Sequence, residues 1–83
     1  MKKRRSNPAT QFAVCLNNTD YPVSLEVGKL YQLIPDPEAE RHGYLRIIDE
    51  SGEDYWHAAS MFYVVELPRD LARTLRTVYQ QVA

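Results

Sequence analysis

The chain is 83 residues long and carries ten Lys and Arg against eleven Asp and Glu, a formal charge of −1 at pH 7. Its 45% hydrophobic and 25% charged content is ordinary globular usage, which excludes a disordered or collagenous chain and leaves room for one small domain. No apolar run reaches the ~20 residues of a membrane helix, and the basic start Met1–Pro8 has no apolar stretch behind it, so neither a span nor a secretory signal is expected. The single cysteine rules out an internal disulfide and suits a reducing cytoplasm.

In chain order, residues 1–11 read as a flexible basic arm. Phe12, Val14 and Leu16 alternate with Ala13 and Cys15, the period-2 pattern of a strand whose buried face carries the three larger side chains. Asn17–Asp20 stops that strand with turn formers, and Leu25–Lys29 makes a second turn at Gly28. Leu30–Ile34 is the next strand, ended by Pro35 and Pro37, which lack an N–H. Glu38–His42 is compatible with one helical turn closed by Gly43, or with an irregular loop.

The clearest local signal is a hairpin. Two β-rich runs, Tyr44–Ile48 and Tyr55–Ala58, flank the acidic segment Asp49–Asp54, whose Gly52 fits a type I turn with a glycine bulge. Ala59–Met61 suits a single 3₁₀ turn, and 62–67 a last short strand. Pro68 then opens a helix. Leu71, Leu75, Val78, Tyr79 and Val82 fall on one stripe of it, with Arg69, Arg73, Arg76 and Gln80 opposite. Such a short helix is marginal by itself, so the stripe is expected to dock on the strands or on a second copy of the chain.

Five short strands, with a 3₁₀ turn before the last and an α-helix after it, describe a mainly β protein. The order of elements predicts a small five-stranded SH3-like antiparallel barrel over 12–67, followed by an amphipathic helix over 68–83. A five-stranded OB-type barrel is the structural alternative, but it usually carries its helix before the fourth strand.

Several segments also resemble a known group. They are Val14–Asn17, Gly28–Tyr31, Leu33–Asp36 and, most specifically, the hairpin run Leu45–Tyr55 with its Asp-Glu-Ser-Gly-Glu-Asp-Tyr motif. Over about Phe12–Pro68 the chain is similar to small uncharacterised bacterial SH3-like barrel proteins. Where that group tends to show Leu-Tyr-Pro after the tyrosine, this chain has Trp56-His57-Ala58. The resemblance implies the fold and a bacterial cytoplasmic setting, and it implies no activity.

Charge is segregated along the chain. Residues 2–5 carry +4. From Phe12 to Leu67 three basic residues meet ten acidic ones, a balance of −7; from Pro68 onward three arginines meet one aspartate, a balance of +2. An acidic body repels phosphate backbones over about a Debye length, ~8 Å at physiological salt, so nucleic acid is not expected as its ligand. Weak nucleic-acid binding by the basic arm and the arginine face of the helix is the alternative.

Catalytic and metal chemistry find little support in the residue pattern. His42, His57 and Cys15 lack the paired spacings of a zinc site, and Asp49–Asp54 lacks the EF-hand pattern. Cys15, opposite the large side chains of its strand, is expected on its less buried face, with nothing to lower its pKa. Ser51, Glu50 and Glu53 sit on a hairpin tip without walls to exclude water. No catalytic, cofactor or metal residues are therefore assigned, and the chain is not expected to be an enzyme. His57 is expected to pack beside a tyrosine.

Recognition is better supported. Nine aromatic residues exceed what one small core needs. The expected binding surface for a protein or peptide combines Tyr55, Trp56 and Tyr63 with the acids Glu53 and Asp54 beside the hairpin.

Overall fold

The computed structural model describes residues 11–82, with side chains through Tyr79. The basic arm expected over 1–11 lies outside the described residues except for Gln11, which is already in the first strand. The strands are β1 (Gln11–Cys15), β2 (Leu30–Ile34), β3 (Tyr44–Ile48), β4 (Asp54–Ala58) and β5 (Phe62–Glu66). A short helix α1 (Pro37–Arg41) links β2 to β3, a 3₁₀ turn (Ala59–Met61) links β4 to β5, and helix α2 (Arg69–Val82) follows. The mainly β organisation, the 3₁₀ turn and the terminal helix are as the sequence predicts.

All strands pair antiparallel in one sheet of order β4-β3-β2-β1-β5. Laid flat, its outer strands would stand about 19 Å apart at ~4.8 Å per neighbour. Yet only the three residues of the 3₁₀ turn separate Ala58 from Phe62, a reach of at most ~14 Å. The sheet must curl. Its outermost strands are not hydrogen-bonded to each other, so it remains an open sheet rather than a closed ring.

The concave face holds the core: Ala13 and Cys15, Tyr31 and Leu33, Leu45 and Ile47, and Phe62, closed at the ends by Leu25 and Met61. This reverses the expected polarity of β1. Cys15 is fully buried, whereas Leu16 is 55% exposed. Phe12 is also fully buried, but on the opposite face, where Tyr79 of α2 meets it edge-on at 6.0 Å. β1 is hydrogen-bonded on both edges and covered on both faces. An alternation rule that assumes one wet face therefore misassigns it.

α2 docks through Ala72, Leu75 and Tyr79. Ala72 is fully buried, and the Tyr79 Oη donates to the Leu30 carbonyl at 2.7 Å. The expected stripe is thus rotated. Leu71 and Val78 remain exposed, and Arg76, expected on the far side, is half-buried. The physical reason is that a small residue lets the helix approach closely, while the tyrosine hydroxyl finds a carbonyl partner. Val82 and Gln80 have side chains outside the described residues.

Local chemistry explains the connections. Asp36 caps α1, its Oδ1 accepting from the Ala39 N–H at 3.1 Å with Pro37 at the first helical position. The hairpin closes through Gly52 N–H to Asp49 O at 2.9 Å, with Gly52 at φ +85°, the conformation that a glycine bulge requires.

Candidate binding surface

The convex face of the β3–β4 hairpin carries Tyr44, Arg46 and Ile48 opposite Ala58, Trp56 and Asp54. Trp56 is 43% exposed and Tyr44 40%. Their rings lie nearly parallel, 5.7 Å apart at 27°, and His42 adds a third ring 6.3 Å from Trp56 at 24°. Offset stacking of this kind holds aromatic groups in a fixed orientation.

Asp36 sets that orientation from outside the hairpin. While Oδ1 caps α1, Oδ2 accepts from the Trp56 Nε1 at 3.2 Å and lies 3.8 Å from Arg46 Nη1. The Arg46 Nε also donates to Asp54 Oδ2 at 2.7 Å. That guanidinium bond holds the Asp54 carboxyl below its ordinary pKa. The result is an aromatic strip edged by two carboxylates that share one guanidinium.

The five residues expected to form the surface do not all meet. Trp56 and Asp54 share the convex face. Tyr55, the intervening residue, points to the other face, where its Oη donates to Glu53 Oε1 at 3.0 Å. This carboxylate acceptor raises the tyrosine pKa. Tyr63 lies on β5, at the far edge of the sheet order, and is 66% exposed. Asp36, His42 and Tyr44 complete the Trp56 strip, and the pattern of the sequence does not assign them to it. The Asp36-Pro37 pair, a cap followed by proline at the first helical position, is the signal that marks where α1 starts, and only the tertiary bond to Trp56 brings it to the hairpin.

The acids at the hairpin base act structurally. Asp49 and His57 are buried and meet at 3.2 Å between Oδ2 and Nε2. Tyr21 stands edge-on to the His57 ring at 4.8 Å, and the His57 Nδ1 has no partner among the described residues. Asp49 Oδ1 accepts from the Ser51 N–H and from its hydroxyl at 2.6 Å. Ser51, Asp49 and His57 are residue types of a nucleophilic triad, but the serine bonds the carboxylate and not the imidazole.

A second polar knot ties the hairpin to the β1–β2 loop and to β2. Glu50 Oε2 accepts from Lys29 Nζ at 2.7 Å and from the Tyr31 Oη at 2.6 Å, while that hydroxyl accepts from the Glu26 N–H at 2.7 Å. The ammonium, then the phenol, lowers the Glu50 pKa. Glu50 raises that of Lys29, and burial followed by the Glu50 bond raises that of Tyr31. Beside this knot lies an open cleft of about 380 Å³, lined by Pro22, Val23, Val27, Glu26 and Glu50 without an aromatic ring.

Among the described residues, no three His, Cys, Asp or Glu side chains cluster to hold a metal ion, and no helix is long and apolar enough to cross a membrane. Comparison with protein-family models, curated proteins and solved structures finds no match to this chain.

Proposed function

We propose that this protein is a non-catalytic interaction module of SH3-like barrel type that binds an extended, basic peptide segment of another protein through the Trp56 strip. The curled sheet, the strand order and the 3₁₀ turn before β5 support the barrel reading. One observation carries the function: a half-exposed tryptophan is held by an aspartate from a different element, in near-parallel register with Tyr44 and His42. Ordering a large apolar ring in water has a cost that no contact of the core requires. The neighbouring acids match a basic ligand, whose lysine or arginine stems lie along the rings while their charges face Asp36 and Asp54. The unpaired Cys15, buried in the core, suits a reducing cytoplasm.

Selection of a displayed random heptapeptide library on the folded protein tests the reading. Peptides rich in Lys and Arg are expected on the wild type and lost on Trp56→Ala, with Tyr63→Ala as a surface control that retains them. Equal recovery on Trp56→Ala with unchanged circular dichroism refutes the surface.

A further inference from the structure

The backbone of β4 has one edge without a strand beside it, and the hydrogen-bond phase of the sheet says which groups face that edge. In an antiparallel pair, alternate residues exchange both backbone bonds with the partner, and the residues between them turn theirs the other way. The bonds Ala59 N–H to Gly43 O (2.9 Å) and Asp49 N–H to Glu53 O (3.2 Å) bracket the β3–β4 ladder. They place Leu45–His57 and Ile47–Tyr55 as the pairs that exchange bonds. The neighbouring ladders give the same phase. Cys15 N–H bonds Lys29 O at 2.9 Å, and Leu16 N–H bonds Met61 O at 2.8 Å, so β1 faces β2 with its odd residues and β5 with its even ones.

The N–H and C=O of Trp56, the N–H of Ala58 and the C=O of Asp54 therefore point away from β3. No backbone bond from a loop or turn among the described residues reaches them. These residues are the same ones whose side chains form the binding strip. We propose that the ligand is captured by strand addition: a basic segment in extended conformation pairs with the free edge of β4. This rests on the functional reading above and specifies its geometry.

Recognition then has two parts. Main-chain bonds to Trp56, Ala58 and Asp54 register the segment, and side chains on its strip-facing side alternate over Trp56 and Asp54. Basic residues suit those alternate positions, because Asp54 and Asp36 border them with only Arg46 between. A proline at the ligand residue that donates to the Trp56 carbonyl is excluded, since it has no N–H. A polyproline helix, which makes no ladder, is not the expected ligand.

Ala58 offers a clean test. Its φ of −56° already suits proline, and the strand residue before it satisfies the restriction that proline imposes. Ala58→Pro thus deletes one outward N–H without removing a bond to β3. Peptides from the displayed heptapeptide library are expected to alternate basic residues and to lack proline at the central position. Ala58→Pro is expected to weaken them about fivefold, the effect of one hydrogen bond. The selected peptide N-methylated at its central amide tests the adjacent bond of the same ladder, from the ligand N–H to the Trp56 carbonyl, should Ala58→Pro fail to fold. It is expected to bind about fivefold more weakly to the wild type.

Binding that depends on Trp56 but tolerates both the N-methyl group and Ala58→Pro, or that selects regularly spaced prolines, overturns strand addition and leaves the functional reading standing. Absence of any selected basic peptide overturns both. Concentration-dependent self-pairing abolished by Ala58→Pro, with no peptide selected, assigns the edge to a second copy of this chain and overturns the proposal.

Discussion

The indole of Trp56 donates its N–H to the carboxylate of Asp36, twenty residues earlier in the chain, at 3.2 Å. The other oxygen of that carboxylate caps α1. One side chain therefore starts a helix and aims the aromatic ring that stands on the neighbouring hairpin.

Asp36→Ala is expected to lose both roles and to cost about 1 kcal/mol of stability, a fall of about 4–8 °C in Tm for a domain of this size. Asp36→Asn keeps an acceptor for the cap and should retain most of that stability. Thermal melts, with tryptophan fluorescence as the reporter of the ring's environment, separate the two.

The Lys29–Glu50–Tyr31 knot makes stability depend on pH at both ends. The folded-state pKa of Glu50 lies below its ordinary 4.5, so its contribution is complete above that pH and is lost as pH falls through the folded value. Tyr31 and Lys29 have folded-state values above their ordinary 10.0 and 10.5. Their contributions are complete below pH 10 and are lost as pH rises through the folded values. Tm should be level between these limits and fall on both sides, and Glu50→Gln should flatten the acid limb. An unchanged acid limb in that variant would mean that Glu50 is not tied down in solution.

The docking of α2 depends on Tyr79 rather than on the exposed apolar flank. Tyr79→Phe removes the bond to the Leu30 carbonyl and should cost about 1 kcal/mol. Leu71→Ser and Val78→Ser lie on the exposed flank and should each stay within about 0.5 kcal/mol. Denaturant titrations that find the two serine variants more damaging than Tyr79→Phe would place the helix in a different orientation.

Gly52 stands at φ +85°, and no atom lies within 4 Å of the place a β-carbon would take, so any cost of a side chain there is backbone strain alone. Gly52→Ala should lower stability by about 1–2 kcal/mol without displacing a neighbour. Chemical denaturation measures the loss, and amide shifts confined to 49–54 would show that the turn alone is affected.

Most elements of this fold are legible as local chemistry. Prolines, glycines and short runs of aliphatic and aromatic residues mark where strands begin and stop, because these effects act within a few residues of their cause. The acidic turn and its glycine bulge are read for the same reason. The helical turn after Asp36 is under-read when its cap is not weighed with the proline beside it.

Two kinds of information are missing from the linear chain. The first is which faces of β1 are covered. Cys15 and Phe12 are both fully buried only because the curled sheet closes over one side while Tyr79 reaches the other. The second is which aromatics meet. Tyr55 and Trp56 are neighbours in sequence but face opposite ways, whereas Asp36, His42 and Tyr44 come to Trp56 from α1 and β3. Local steric and hydrogen-bonding preferences act over a few bonds and leave their mark on residue type. Solvent exclusion and long-range pairing depend on where distant segments arrive, and that is settled only once the sheet has rolled around its core.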